Sequence, residues 1–219
     1  MNHRIRLLGI DLDGTLLNTI DDLANAGNHA LEQLKLPTYD TEQYKYFVGN
    51  GIPKLIERIL PENSPKELKE RAHELFSEFY GAHSEDMTRP YDGITELVCD
   101  LHDTGVKTAV ITNKDNVFAG KLIRKYFGDK ITAVYGSLPG TPHKPDPYWV
   151  ERALSDLGAD KRDVLYVGDS GVDMQTAKNA GLTSAGVLWG FRKENELREN
   201  GADHICKKPS EIFDIVKSV

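Results

Sequence analysis

The sequence predicts a doubly wound α/β fold, a parallel sheet with helices on both faces, interrupted after its first strand by a block of helices. Three observations predict it. A short apolar run opens the chain, helical spacing alone fills the stretch that follows, and from Arg89 onward β-rich runs alternate with helical segments. Residues 1–14 and 89–219 are therefore expected to form an α/β core domain, and residues 15–88 an inserted helical domain.

The opening run, Ile5 to Ile10, ends in Asp11-Leu12-Asp13-Gly14, the way a buried parallel strand meets a polar edge. Between Thr19 and Leu36, Leu23, Ala26, Ala30, Leu31 and Leu34 fall at helical spacing. Asp21 and Asp22 suit the positive end of that helix. A second helix is expected from Pro53 to Leu60. A third runs from Pro65 to His83, with Leu68, Ala72, Leu75, Phe76 and Phe79 in one stripe. Residues 15–88 thus read as all-helical. Beyond them, strands are expected at Val106–Thr112, Thr132–Tyr135, Val164–Val167 and Thr183–Leu188. Helices are expected to begin near Gly93, Asp115, Asp146, Gly171 and Pro209. This alternation implies right-handed βαβ units.

Composition narrows the function classes. A chain of 219 residues with 39% hydrophobic content supports one good core and a small second one. A net charge of −7 argues against a broad nucleic-acid or membrane surface. No run reaches the ~20 apolar residues of a bilayer span. The charged stretch Met1 to Arg6 is followed by an apolar run that Asp11 cuts short, so no signal peptide is expected and a cytoplasmic location follows. Cys99 and Cys206 are expected to be reduced thiols.

The chemically unusual residues follow strands. Asp11 and Asp13 end the first, Thr112 and Asn113 the second, and Gly168-Asp169-Ser170 the fourth, with Asp173 one turn later. Open α/β sheets bind ligands at these carboxyl ends. If Asp11, Asp13, Asp169 and Asp173 share a pocket, their repulsion calls for a cation, and an all-oxygen donor set favours Mg²⁺. Taken singly, each Asp beside a Gly also serves as a turn or cap residue. Anion donors are at hand in the Thr112 hydroxyl, the N–H groups of Asn113 and Lys114 at an expected helix start, and Lys144 in His143-Lys144-Pro145-Asp146-Pro147. The alternatives are helix capping for Thr112-Asn113 and a solvated surface position for Lys144. Val48-Gly49-Asn50-Gly51, with Lys54 nearby, offers backbone amides to an anionic group or else simply joins two helices.

Asp11-Leu12-Asp13-Gly14-Thr15-Leu16, Thr112, Lys144-Pro145-Asp146-Pro147 and Gly168-Asp169-Ser170-Gly171-Val172-Asp173 resemble, in order and placement, the four motifs of the haloacid dehalogenase superfamily. Tyr91-Asp92-Gly93, Ala177-Lys178-Asn179-Ala180-Gly181 and Leu188-Trp189-Gly190-Phe191 resemble its phosphoglycolate-phosphatase-like branch, although relatives often carry proline where Asp92 stands. The resemblance implies a Rossmann-like core whose first strand is central, flanked by the strands bearing Thr112 and Asp169. It implies Asp11 as a nucleophile that forms an aspartyl-phosphate, Asp13 as general acid and base, and Thr112 and Lys144 as groups that bind the phosphoryl oxygens. Mg²⁺ is then held by Asp11, the main-chain carbonyl of Asp13 and Asp169, with Asp173 ordering its water shell. Asp13 separates the chain from the dehalogenases, which lack an acid there.

The same resemblance makes residues 15–88 a mobile cap that selects the substrate. Asn113, Gly49, Asn50, Gly51 and Lys54 become candidate substrate-binding residues, and 2-phosphoglycolate the leading small-molecule phosphate ester. A pyrophosphatase and a sugar-phosphate phosphatase stay open. A β-phosphoglucomutase-like enzyme is expected to show an Arg-rich cap loop, and none is visible. Phosphonoacetaldehyde hydrolase requires a Schiff-base lysine, for which Lys54 and Lys45 are candidates. From another class comes a non-catalytic phosphate-binding module. His143 is placed to touch substrate, Trp149 and Trp189 are expected to pack, and monomer and homodimer are both open.

Overall fold

The computed structural model describes residues 4–218. Met1 to His3, half of the charged opening stretch, and the last residue of the expected core domain lie outside it. The six-stranded sheet has the order β5-β4-β1-β6-β7-β8 and every neighbouring pair is parallel. Its strands are β1 (Leu7–Ile10), β4 (Lys107–Asp115), β5 (Ala133–Ser137), β6 (Val164–Gly168), β7 (Thr183–Val187) and β8 (His204–Cys206). The order reverses at β1, which β4 and β6 flank as the resemblance implies. The doubly wound fold is therefore present, with its ligand crevice at the carboxyl end of β1.

Alternation along the strands explains why helices cover both faces. Leu8, Ile10, Val110, Leu165 and Val167 pack on one side with α5 (Ile94–Asp103), α6 (Asn116–Phe127) and α10 (Pro209–Ser218). Leu7, Ala109, Ile111, Val164 and Tyr166 pack on the other with α7 (Tyr148–Leu157) and α8 (Gly171–Ala180). A strand buried on both faces has no polar side, which is why these segments read as continuous apolar runs.

Four helices form the insertion: α1 (Ile20–Gln33), α2 (Thr41–Phe47), α3 (Ile52–Ile59) and α4 (Lys66–His83). They enclose a separate cluster around Leu31, Tyr44, Ile56, Ala72 and Phe76, into which Phe191 of the α/β part also reaches. Helix α2 escaped the periodicity reading because seven residues bury only Tyr44; a capping box between Asp40 and Gln43 starts it. The expectation that 15–88 is all-helical needs correction. Leu17 and Asn18 form β2, antiparallel to β3 (Arg89–Pro90), a short ribbon where the chain leaves and re-enters the α/β part. Leu16 and Leu17 bury their side chains in the α/β core rather than among the helices. The small helix α9 (Glu194–Glu199) and the edge strand β8 were likewise too short to show a pattern.

Asp22 ties the insertion to its exit. Its buried carboxylate accepts from the N–H groups of Met87 (2.9 Å) and Thr88 (2.9 Å). We predict that Asp22→Ala, which strands two backbone donors beside a buried void, lowers stability by about 2–4 kcal/mol. Urea denaturation measures it, and a change under about 0.5 kcal/mol, the range of ordinary surface substitutions, contradicts the assignment.

Candidate active site

Asp11 is the first residue beyond β1, and its N–H is still held by Val167 O (2.9 Å), so the parallel ladder itself fixes the backbone. Gly14 follows with φ +85°, where a β-carbon would run into the Asp169 carboxylate and Phe191. Only glycine lets this loop close over β6. Asp169 in turn accepts from Phe191 N–H (2.7 Å) and from the Thr15 hydroxyl (3.3 Å). Trp189, expected only to pack, donates its indole N–H to Thr15 O (2.9 Å).

Carboxylate oxygens of Asp11, Asp169 and Asp173 lie within 4.8 Å of one another, all buried. Lys144 Nζ bridges Asp11 Oδ1 (2.8 Å) and Asp173 Oδ1 (2.7 Å). The other oxygen of Asp173 accepts from the N–H (3.1 Å) and hydroxyl (2.6 Å) of Ser170 in a capping box at the start of α8. Asp173 is thus a brace for Lys144 with both oxygens engaged. Asp13 points elsewhere, accepting from the Thr19 hydroxyl (2.8 Å) and from Lys114 Nζ (3.0 Å).

Electrostatics follow from burial. Desolvation pushes the Asp11 carboxyl up to about 7, with Lys144 opposing the rise and Asp173 adding to it. Asp169 is pushed up to about 8 by burial, then by Asp173 and Asp11. Burial disfavours the Lys144 charge, yet Asp11 and Asp173 outweigh it and hold its pKa well above the ordinary lysine value. When all four carboxylates are ionised they outnumber the two ammonium groups here, and negative charge is left over. An oxygen donor set with that excess can hold a divalent cation, the oxygens of Asp11, Asp169 and Asp173 lying close enough together to share it.

A cleft opens over these groups. Asp11, Asp13, Thr112, Asn113, Lys114 and Asp169 line it from the sheet; Gly49, Gly51, Leu55 and Tyr80 line it from the helices. Two expectations are modified at the end of β4. The strand continues through Asp115 and α6 begins only at Asn116, so Lys114 is not at a helix start. Its N–H donates to the Thr112 hydroxyl (3.2 Å). The Asn113 side chain is occupied by backbone: its amide donates to Gly49 O (3.0 Å) and Lys144 O (3.3 Å), and its oxygen accepts from Lys144 N–H (2.8 Å).

The glycine loop meets protein. Arg192 donates to Val48 O (3.0 Å) and to Lys45 O, and the His143 ring sits where a β-carbon on Gly51 would be 2.9 Å away. Asn50 accepts from Arg58 (2.7 Å), and Lys54 pairs with Glu57 (2.5 Å) at the surface. Neither lines the cleft, nor does Lys45, which pairs with Glu42 (2.7 Å). His143 hydrogen-bonds Ser137 (3.0 Å) and is also outside the lining.

A family model described as haloacid dehalogenase-like hydrolase matches residues 10–187. The chain belongs to that family. It is 31% identical to a phosphoglycolate phosphatase of Vibrio parahaemolyticus, covering 97% of this chain and 96% of the relative. It is 32% identical to one of Neisseria meningitidis, covering 97% and 94%. A crystal structure of a candidate phosphoglycolate phosphatase from Lactobacillus delbrueckii subsp. bulgaricus superposes with a TM-score of 0.94 at 28% identity, over 99% of this chain and all of that one. Among the described residues of this hydrolase, no helix is long and apolar enough to cross a membrane.

The Lys114 side chain, Tyr80 and Arg192 had no part in the sequence reading of the site. Lys114 carried a signal, a charge directly after the apolar run of a buried strand. Tyr80 carried none, being one more aromatic on an amphipathic helix.

The raised carboxyls have a measurable consequence. The folded protein retains protons on Asp11 and Asp169 after the unfolded chain, at about 3.8, has lost them. The stability this contributes is complete below about 3.8 and is lost progressively as pH rises from there through about 7 and 8. We predict that in chelator the Tm falls across that range and that a divalent cation restores it most at the alkaline end. A chelated Tm that rises with pH contradicts the cluster's electrostatics.

Proposed function

We propose that the protein is a phosphatase that hydrolyses a small phosphomonoester, with 2-phosphoglycolate leading, through an aspartyl-phosphate on Asp11. The observation that carries this is the pairing of two carboxylates with different surroundings at one strand end. Asp11 is held by Lys144 at 2.8 Å, while Asp13 lines the same cleft two residues on, held by Thr19 and Lys114. A lone nucleophilic carboxylate suits many displacements; a second one beside it supplies the acid that an alkoxide leaving group needs.

Asp11 attacks phosphorus, forming an Asp11 O–P bond as the ester P–O bond breaks, and Asp13 gives its proton to the departing alkoxide. Asp13 then takes a proton from water, which attacks the same phosphorus and frees Asp11 and inorganic phosphate. The Thr112 hydroxyl and the Lys144 ammonium bind phosphoryl oxygens, Lys144 being held in place by Asp173. Asp11, Asp169 and the Asp13 carbonyl would hold Mg²⁺, which would supply charge stabilisation to those oxygens; the all-oxygen donors support that identity.

Residues 15–88 act as the cap. Its cluster is separate, and it enters through the β2–β3 ribbon. The contacts of Asn113, Arg192 and His143 with the Val48–Gly51 loop fit a clasp of the closed form, which assigns the glycines to close packing rather than to an anion cradle. Placing Lys45 and Lys54 outside the cleft counts against a Schiff-base mechanism.

We predict that Asp11→Asn abolishes phosphate release while keeping the fold, because the amide is not a competent nucleophile. Release from a panel of phosphoglycolate, pyrophosphate, hexose phosphates and a nucleotide reads it, and residual turnover above a few per cent removes Asp11 from that role. Asp13→Asn is expected to slow the reaction by about 10²–10⁴-fold, the ordinary worth of general acid–base catalysis, and unchanged kinetics remove it. Phosphoglycolate among the poorest substrates overturns the substrate while leaving the reaction class.

A further inference from the structure

Lys114 is buried in the cleft wall, its ammonium 3.0 Å from Asp13 and 4.8 Å over the Tyr80 ring. Burial opposes that charge, but Asp13 and Tyr80 outweigh it and raise its pKa. An ammonium carries three donors, and the ion pair with Asp13 takes one. The Tyr80 hydroxyl, on the helical side of the same cleft, is buried, and its polar neighbour is the Lys114 ammonium itself. A mere countercharge for Asp13 accounts for the ion pair but not for a hydroxyl of the inserted helices standing beside that ammonium at the cleft.

The other cations at the cleft are engaged. Lys144 serves Asp11 and Asp173, and Arg192 serves the backbone of Lys45 and Val48 with Glu196 beside it. The lining also has an apolar part, to which Leu23, Leu55 and Phe191 contribute. We propose that Lys114 and the Tyr80 hydroxyl form the subsite for a second anionic group, a carboxylate, borne close to the phosphoester of a small substrate. The proposal rests on the phosphatase reading above and gives it a specificity determinant: Lys114 supplies the charge from the core, and Tyr80 a hydrogen bond from the cap.

The test compares 2-phosphoglycolate with 2-hydroxyethyl phosphate, in which a neutral hydroxymethyl replaces the carboxylate, for the metal-loaded wild type, Lys114→Gln and Tyr80→Phe. Glutamine keeps a donor for Asp13 and removes the charge. The wild type is expected to prefer phosphoglycolate. Lys114→Gln should lose more on phosphoglycolate than on the neutral ester, by on the order of a hundredfold in kcat/KM and chiefly through KM, as for removal of one partner of a buried charge pair. Tyr80→Phe should lose preference in the same direction by roughly fivefold, the worth of one hydrogen bond. If Lys114→Gln does not fold, Lys114→Arg should keep the preference that Tyr80→Phe weakens. Equal losses on both esters, or preference unchanged in Tyr80→Phe and Lys114→Gln, overturn the subsite and leave the phosphatase reading intact. No phosphate release by the wild type from these or any aryl phosphate overturns both.

Discussion

Four carboxylates buried at one end of a parallel sheet repel one another strongly enough to threaten the fold, and two buried lysines make the arrangement tolerable. Lys144 spans Asp11 and Asp173, and Lys114 holds Asp13. Much else is arranged around keeping these ammonium groups in place. Ser170 occupies the far oxygen of Asp173, Asn113 grips the backbone of Lys144 on both sides, and Thr19 shares Asp13 with Lys114. With all four ionised the compensation is incomplete, and a divalent cation can answer the negative charge left over.

The same network joins the two parts of the molecule. The Asn113 amide that holds Lys144 O also reaches Gly49 of the insertion, and Lys114 lies over Tyr80 of α4. Groups that hold the buried carboxylates are thus in contact with the helices that cover them. Anything that enters the cleft therefore meets the charges of the strand ends and the inserted helices together.

Strand alternation, helix stripes and the Asp, Thr, Lys and Gly-Asp motifs are local properties, so the doubly wound fold and the identity of the buried acids were legible in the chain itself. Elements of two to seven residues were not: α2, the β2–β3 ribbon, α9 and β8 are too short for a period to emerge, and pairing partners rather than local preference hold them. The Val48–Gly51 loop shows a different limit. Its glycines marked a place where backbone comes close to something, and the sequence contains nothing to say whether that is a ligand or, as found, the His143 ring and the Asn113 amide.

By itself, then, the sequence determined which polar residues follow the strands, because strand ends and apolar runs are written in neighbouring residues. The tertiary structure alone decided their partners. Asp173 braces a lysine 29 positions away, Lys114 meets an aspartate 101 positions away, and an unremarkable aromatic on α4 comes to stand beside that lysine. Such contacts depend on how the sheet order reverses at β1 and on where the inserted helices settle, and both are set by packing of the whole chain.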